Sequence, residues 1–399
     1  MVHAVGLAVA LLVYGCLGSP APPGIGPAEA VIAFGLFCAV GVARPLGVGS
    51  GLMLIAPAAR PHEITGTAAF LYLLWVPSLR AALMGNDPED VLRDVIPLIY
   101  LFLPILLVPA VKAGRDELPW GMAAVGLLFA SRWWWSGVNP WSIGHFMLEE
   151  GDLYLLNSPA VLFAAVWLPL EGAAALTRKP GAGSIARAAA LVAGGAIAAA
   201  ALAGVVHRAA IMMALASVCC HVLYQTRRMP MALVIVAVLV AGVAAVIPDL
   251  VLGTVQRIAT KTETYGLNER LAETAVVFRQ VGASFASVAF GEGWGALVRN
   301  PAVGELWVSY THGLATYMLL KTGIIGALAT LAYLLSLWPS MVRLISREPS
   351  LAFALAPALG LGLFAHTSFK YLCFGLLLAV VTRGGANATP PPTGRSDAK

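Results

Sequence analysis

Long apolar runs alternate with short polar ones along the whole chain. In the second half the apolar runs cover 187–205, 209–224, 230–250, 313–338, 351–366 and 371–382. Between them lie His207-Arg208, QTRRMP, a long polar stretch at 251–312, MVRLISREP and the His366–Lys370 turn. Runs of roughly 16 to 25 apolar residues fit a helix crossing a ~30 Å hydrocarbon core. The pattern therefore predicts an all-α polytopic membrane protein with about 12–13 transmembrane helices. Towards the N-terminus it weakens: 64–84 is long enough to cross, but 2–18, 28–43 and 46–59 are short for full spans. The opening MVHAVGLAVALLVYGCLGSPAPP has the apolar stretch of a signal peptide without a basic n-region, and reads as a first membrane segment. No repeat at fixed period and no soluble domain is visible.

The basic residues orient these spans. Arg178, Lys179 and Arg187 fall in one connection, Arg227 and Arg228 in the next, and Arg343 and Arg347 in a third. Placing all three in the cytoplasm, as basic loops prefer, lets the spans alternate without conflict. His207-Arg208, 251–312 and His366–Lys370 then lie outside. So do GNDPEDVLRD (85–94) and the Trp-rich 131–152, with KAGRDELP (112–119) inside. The expected organisation is an N-terminal transmembrane bundle over 1–250, an extracytoplasmic loop over 251–312, C-terminal transmembrane helices over 313–383, and a disordered cytoplasmic tail over 384–399.

The outer loop carries Arg257, Lys261, Arg270, Arg279 and Arg299 against five glutamates. Asn268 is suited to cap a helix in which Leu271, Ala275 and Phe278 share one face. That predicts an amphipathic helix lying on the outer surface. Arg270 and Arg279 sit about 180° apart on it, so both cannot serve one site. FGEGWG (290–295) ends the segment with three glycines and leads back to His312.

Composition supports the membrane reading: 59% of the 399 residues are hydrophobic and 11% charged, with mean hydropathy +0.83. Soluble domains are about a quarter charged. The net charge of +5 is spread thinly, so no nucleic-acid partner is expected. Cys16, Cys38, Cys219, Cys220 and Cys373 all fall in apolar segments without CxxC spacing, and read as buried small hydrophobes. The chain has no GxxxxGK[ST], HExxH, HxxxH pair or DxD-type carboxylate cluster, which leaves neither ATP-driven transport nor metal-dependent chemistry supported. GVGSG (47–51) and GEGWG (291–295) are Gly-rich, but neither joins a strand to a helix.

What remains is a set of outward cations at membrane depth: His207, Arg208, Arg270, Arg279, His312, His366 and Lys370, with Arg80 near the outer end of 64–84. An arginine near hydrocarbon costs up to ~2.5–3.5 kcal/mol at a helix centre, and is kept where it faces a polar cavity or an anion. A phosphate-bearing lipid headgroup fits the planar guanidinium fork. Arg208 and Lys370 could equally be interfacial anchors that snorkel.

The ordered set VHRAAIMMAL around Arg208, NERLAETAVVFRQ around Arg270, FGEGWG, and THGLATYMLLKTGIIG around His312 resembles the O-antigen ligase and O-antigen polymerase family over about residues 185–340. The resemblance implies a GT-C-like fold and a membrane glycosyltransferase of the bacterial cytoplasmic (inner) membrane, its active site facing the periplasm or cell exterior. It implies transfer of a glycan from a polyprenyl diphosphate carrier to an acceptor hydroxyl on a glycan, lipid or protein, without metal or other cofactor. By the same resemblance Arg208 and Arg270 would hold the diphosphate, and His312 would be the base or hydrogen-bond donor; His207, Arg279, Arg80, His366 and Lys370 are secondary candidates. The chain departs from the family in having His207-Arg208 where Ser-Arg is common, His312-Gly313 where His-Asn is common, and Lys321 where an acidic residue is common before a GIIG-like element. Losing the Asn removes an amide that could orient the histidine.

Lys321 is about 180° around its helix from His312 and cannot share its face; it is expected to pair with a carboxylate from another span, to snorkel, or to contact lipid. His3, His62 and His221 read as helix-end residues. RWWWSGVNPW (132–141) could stack on sugar rings or form an interfacial aromatic belt, and Glu149, Glu150 and Asp152 could bind hydroxyls or line a solvated loop. A transporter or flippase of an anionic or lipid-linked solute is the alternative function, and a non-catalytic membrane subunit a third.

Overall fold

A computed structural model describes residues 2–20, 22, 26–57, 59–113, 116–136, 155–178, 181–205, 207–226 and 268–385. The predicted span 230–250, the first part of the outer loop, Glu149, Glu150, Asp152, Arg227, Arg228 and the tail from 386 lie outside the described residues.

The described chain is helical apart from one small hairpin. In order run α1 (Val2–Cys16), α2 (Pro27–Val40), α3 (Ala43–Gly49), α4 (Pro61–Met84), α5 (Pro88–Leu101), α6 (Glu117–Trp135), α7 (Pro159–Arg178), α8 (Ala182–Gly204) and α9 (Arg208–Thr226). They are followed by α10 (Asn268–Val281), α11 (Phe285–Phe290), α12 (Leu314–Arg347), α13 (Pro349–Gly360) and α14 (Leu372–Val381). Between α11 and α12, β1 (Val298–Asn300) pairs antiparallel with β2 (Leu306–Val308), Arg299 opposite Trp307.

The helix starts follow local chemistry. α4 begins with Pro61 at its first turn, and Glu63 reaches back to the Arg60 N–H at 2.9 Å. α5 begins with Asp87 accepting from the Glu89 N–H at 2.8 Å, followed by Pro88. Both pairs satisfy donors that a helix start leaves without partners.

Five of these helices, α4, α7, α8, α9 and α12, are long and apolar enough to cross a membrane. α2 and α3 form a further pair bent by 82°, a broken span or re-entrant loop. Three shorter apolar helices, Val2–Cys16, Pro349–Ala365 and Leu372–Gly384, bring the apolar helices below the predicted 12–13 crossings among the described residues. Besides the predicted span 230–250, which lies outside the described residues, part of the difference has a visible cause. Pro104 and Pro109 divide 88–113 into α5, which accommodates Pro97, and two short helical pieces, Leu103–Leu106 and Val108–Ala113, because proline lacks the N–H that would continue the ladder.

The apolar faces sort into two kinds. Every residue of α14 is buried, as expected of a helix that is hydrophobic all round, and Gly375 lets it approach the Tyr100 carbonyl. Around it pack α5, α6, α7 and α13. By contrast Ile324, Leu328, Leu331, Leu335, Trp338 and Val342 form an exposed stripe along α12 at alternating steps of four and three. Such a stripe is costly in water and favourable against lipid tails.

α10 points its predicted apolar face outward: Leu271 and Phe278 are exposed, while Val277 and Val281 pack on Val298 and Leu320. A helix with one apolar stripe outside and another inside suits the interface between membrane and protein. The Trp run divides: Trp133 is core, the Trp134 indole N–H donates to the Ile197 carbonyl at 3.3 Å, and Trp135 is exposed.

Candidate functional site

The site lies where α10, the loop before α12, the start of α9 and the turn between α13 and α14 meet. Its centre is His312. The His312 Nδ1 lies 2.6 Å from Glu273 Oε2, and the His312 backbone N–H donates to Glu273 Oε1 at 2.8 Å. Asn300, at the end of β1, donates its amide to Glu273 Oε2 at 2.9 Å. Three donors thus converge on a carboxylate that is 3% exposed, while His312 is 20% exposed. Burial alone would raise the Glu273 pKa, but the hydrogen bonds from His312 and Asn300 outweigh it and hold the carboxyl below its ordinary value.

An ionised carboxylate only accepts, so Nδ1 of His312 carries the proton. With that single proton on Nδ1, Nε2 is the acceptor available to a reacting group, the arrangement a general base requires. The turn itself is tied down: Thr311 Oγ1 donates to the Gly313 carbonyl at 3.1 Å, and Thr316 donates to the same carbonyl at 3.0 Å. Glu273 and these threonines supply the orientation that Gly313, lacking an amide side chain, cannot.

The cations expected from sequence gather around this pair unevenly. Arg270, one turn before Glu273 on α10, donates to the Ala365 carbonyl. Partial burial lowers its pKa; Glu273 pulls it back up, and the nearby Arg208 charge pushes it further down. The His207 and His366 rings lie 5.8 Å apart, and His366 is 6.3 Å from Tyr371. Burial, then the neighbouring His207, His312 and Arg270, push the His366 pKa down to about 3. His366 therefore enters the site as a neutral imidazole, and its buried Nδ1 has no hydrogen-bond partner among the described residues. His207, Arg208, Arg270, His312 and His366 share one neighbourhood, with Glu273 among them.

The other candidates stand apart. Arg279 is exposed on the far side of α10, as the spacing requires. Arg80 donates Nε to the Gly291 carbonyl at 3.1 Å and braces a loop. Lys370 joins a second, buried cluster: Asp94 Oδ1 accepts from Lys370 at 3.0 Å and from the Tyr317 hydroxyl at 2.8 Å. On the other oxygen, Oδ2 accepts from Lys321 at 2.6 Å and from the Gly295 N–H at 2.9 Å. This pairing places Lys321 among the roles expected of it, against a carboxylate of another helix. Lys370 also reaches the Ser309 carbonyl at 3.4 Å, which links the cluster to the strand leading into His312. Among the described residues no group of three His, Cys, Asp or Glu side chains could hold a metal ion.

Two residues escaped the sequence reading. Glu273 has no distinguishing pattern in the sequence, being one of five loop glutamates; its position three residues after Arg270, on the same helix face, is the available signal. Asp94 closes an acidic run with Asp87, Glu89 and Asp90, and nothing in the sequence of that run marks it as buried.

The helices define an all-α multi-pass membrane protein with a polar site at one end of its bundle. Comparisons of the chain with family models, with curated proteins and with solved structures find no match.

Proposed function

We propose that the protein is a membrane glycosyltransferase that moves a glycan from a polyprenyl diphosphate carrier to an acceptor hydroxyl, as the resemblance to O-antigen ligases and polymerases implies. One observation carries this reading: the hydrogen-bonded Glu273–His312 pair shares its neighbourhood with Arg208 and Arg270. A base beside two guanidinium groups suits a reaction in which a hydroxyl is deprotonated while an anionic leaving group departs.

In this scheme the acceptor oxygen attacks the anomeric carbon as the bond from that carbon to the diphosphate oxygen breaks. The hydroxyl proton passes to Nε2 of His312. The negative charge that develops on the departing diphosphate is met by Arg208 and Arg270, and configuration at the anomeric carbon inverts. Glu273 holds the imidazole in the tautomer that leaves Nε2 open, and stabilises the imidazolium once formed. Neutral His366 can donate or accept a hydrogen bond without adding charge.

The test is transfer by the purified protein from a polyprenyl-diphosphate oligosaccharide to candidate acceptors: lipid A core, a growing polysaccharide end, and a protein hydroxyl. His312→Ala is expected to lose about 10²–10⁴-fold in rate, the usual span for a general base, with donor binding retained. Arg208→Ala and Arg270→Ala are expected to weaken donor binding as well. Full activity in all three variants, or donor translocation without transfer to any acceptor, would overturn the reading.

A further inference from the structure

A second group of cations sits at the opposite end of the same helices. α4 runs from His62 to Arg80, α12 from Lys321 to Arg343, and the segment from Lys370 through α14 reaches Arg383. At 1.5 Å per residue these lengths are about 27, 33 and 20 Å, the first two close to the ~30 Å of a hydrocarbon core. The two polar ends are therefore separated by about one membrane thickness.

At the second end a cavity of about 240 Å³ is lined by Arg60, His62, Lys112 and Arg383. Val108 and Val111 form its apolar wall. The carboxylates nearby are already engaged. Glu63 takes Arg44 at 2.6 Å and the Arg60 N–H at 2.9 Å. Asp116 and Glu348 both pair with Arg383, at 2.8 and 3.4 Å. Among the described residues no carboxylate forms an ion pair with the Arg60 guanidinium or the Lys112 ammonium. A concave site at a membrane edge, with two uncompensated cations and one apolar wall, asks for an anion attached to something apolar.

We propose that this cavity binds the phosphate of an anionic membrane phospholipid, with Arg60 and Lys112 on the phosphate oxygens and the valine wall against the glycerol and first methylenes. The volume admits a phosphoglycerol headgroup and is below the ~300 Å³ at which pockets for nucleotide-sized ligands begin. Basic pockets between transmembrane helices on the cytoplasmic side recognise such headgroups by charge, and the basic connections of this chain orient this end to the cytoplasm. The bound lipid would brace α4, the 108–113 turn and the end of α14 without taking part in chemistry at His312.

Native mass spectrometry of the full chain in detergent, titrated with phosphatidylglycerol, phosphatidylcholine or inorganic phosphate, tests this. Wild type should retain phosphatidylglycerol over phosphatidylcholine, with little competition from phosphate. Arg60→Gln and Lys112→Gln should each weaken phosphatidylglycerol binding about fivefold, and the double variant about 30-fold. The Arg60→Lys/Lys112→Arg double variant should bind nearly as wild type, and Arg299→Gln, on the opposite end, should change nothing. Thermal unfolding in lipid-free detergent separates a binding defect from a folding defect. Unchanged phosphatidylglycerol binding in the charge-removed double variant overturns the site, as does equal retention of phosphatidylcholine. Displacement by inorganic phosphate at equal concentration overturns the lipid as its ligand.

Discussion

At the scale of single residues, the site depends on one carboxylate accepting three donors. Glutamine at position 273 offers one acceptor and turns an amide N–H toward groups that are themselves donors. Glu273→Gln should therefore cost about 1–3 kcal/mol of stability, the range for a buried polar group left unsatisfied. The sign of its pH dependence follows from the lowered pKa of Glu273. Stability from the ionised carboxylate is fully present above the unfolded glutamate pKa, about 4.3, and is lost as pH falls through the lower folded value. Unfolding temperatures of wild type and variant, separated at pH 7, should stay apart down to about pH 4 and approach each other only below it; a gap that closes between pH 7 and pH 5 would mean that Glu273 is not holding the site as an anion. His312, Arg208 and Arg270 were legible in the sequence because cations at membrane depth are rare enough to stand out. Glu273 was not, since its role comes from burial and from Asn300, which lies 27 residues away. His366 was legible as a position but not as a charge state, because only packing reveals that it stays neutral.

At the scale of elements, FGEGWG is a brace and not a phosphate cradle. Four successive backbone N–H groups are consumed inside the protein: Glu292 donates to the Leu320 carbonyl at 2.9 Å, Gly293 to Lys321 at 3.0 Å, Trp294 to Pro77 at 3.3 Å, and Gly295 to Asp94 at 2.9 Å. The first two acceptors are open because α12 is broken. Gly323, at φ 65°, interrupts α12 and releases the carbonyls of Leu320 and Lys321. Pro77, lacking an N–H, leaves the Leu73 carbonyl open, and the Trp294 indole fills it at 2.8 Å. The glycines and the mid-helix proline were visible in sequence, but their mutual dependence was not, since it joins segments more than 200 residues apart. A side chain at 323 would meet the Ala289 carbonyl and the Gly291 N at 2.5 Å, besides the strain of a positive φ. Gly323→Ala should lose at least the ~1–3 kcal/mol of that strain, read as a lower unfolding temperature in detergent. Wild-type stability would show that the loop does not depend on the break.

At the scale of the whole molecule, hydropathy correctly anticipated a helical polytopic protein but not how its shorter apolar runs fold. A run of apolar residues says that a segment avoids water; it does not say whether it meets lipid or protein. α14 and α12 are both strongly apolar, yet α14 is enclosed on every side while α12 turns a full stripe outward. Prolines in 88–113 and the bend at Gly41 convert other runs into pieces that cannot cross alone. The same three helices nonetheless connect the His312 site to the basic cavity, so the sidedness of one end fixes that of the other. By the preference of basic loops for the cytoplasm, Arg343 and Arg347 are expected inside and His312 outside. Alkaline phosphatase, active only when exported, should therefore be active when inserted after Gly304, in the exposed turn between β1 and β2. Green fluorescent protein, fluorescent only when it folds in the cytoplasm, should be fluorescent when fused after Lys399. Both reporters in the opposite state would invert the molecule and put the Glu273–His312 pair in the cytoplasm, against the proposed transfer on the outer face. Because Gly304 lies in the hairpin that carries Asn300, each insertion should also be checked for a wild-type unfolding temperature, so that reporter activity comes from a folded chain and the sidedness it reports belongs to this bundle.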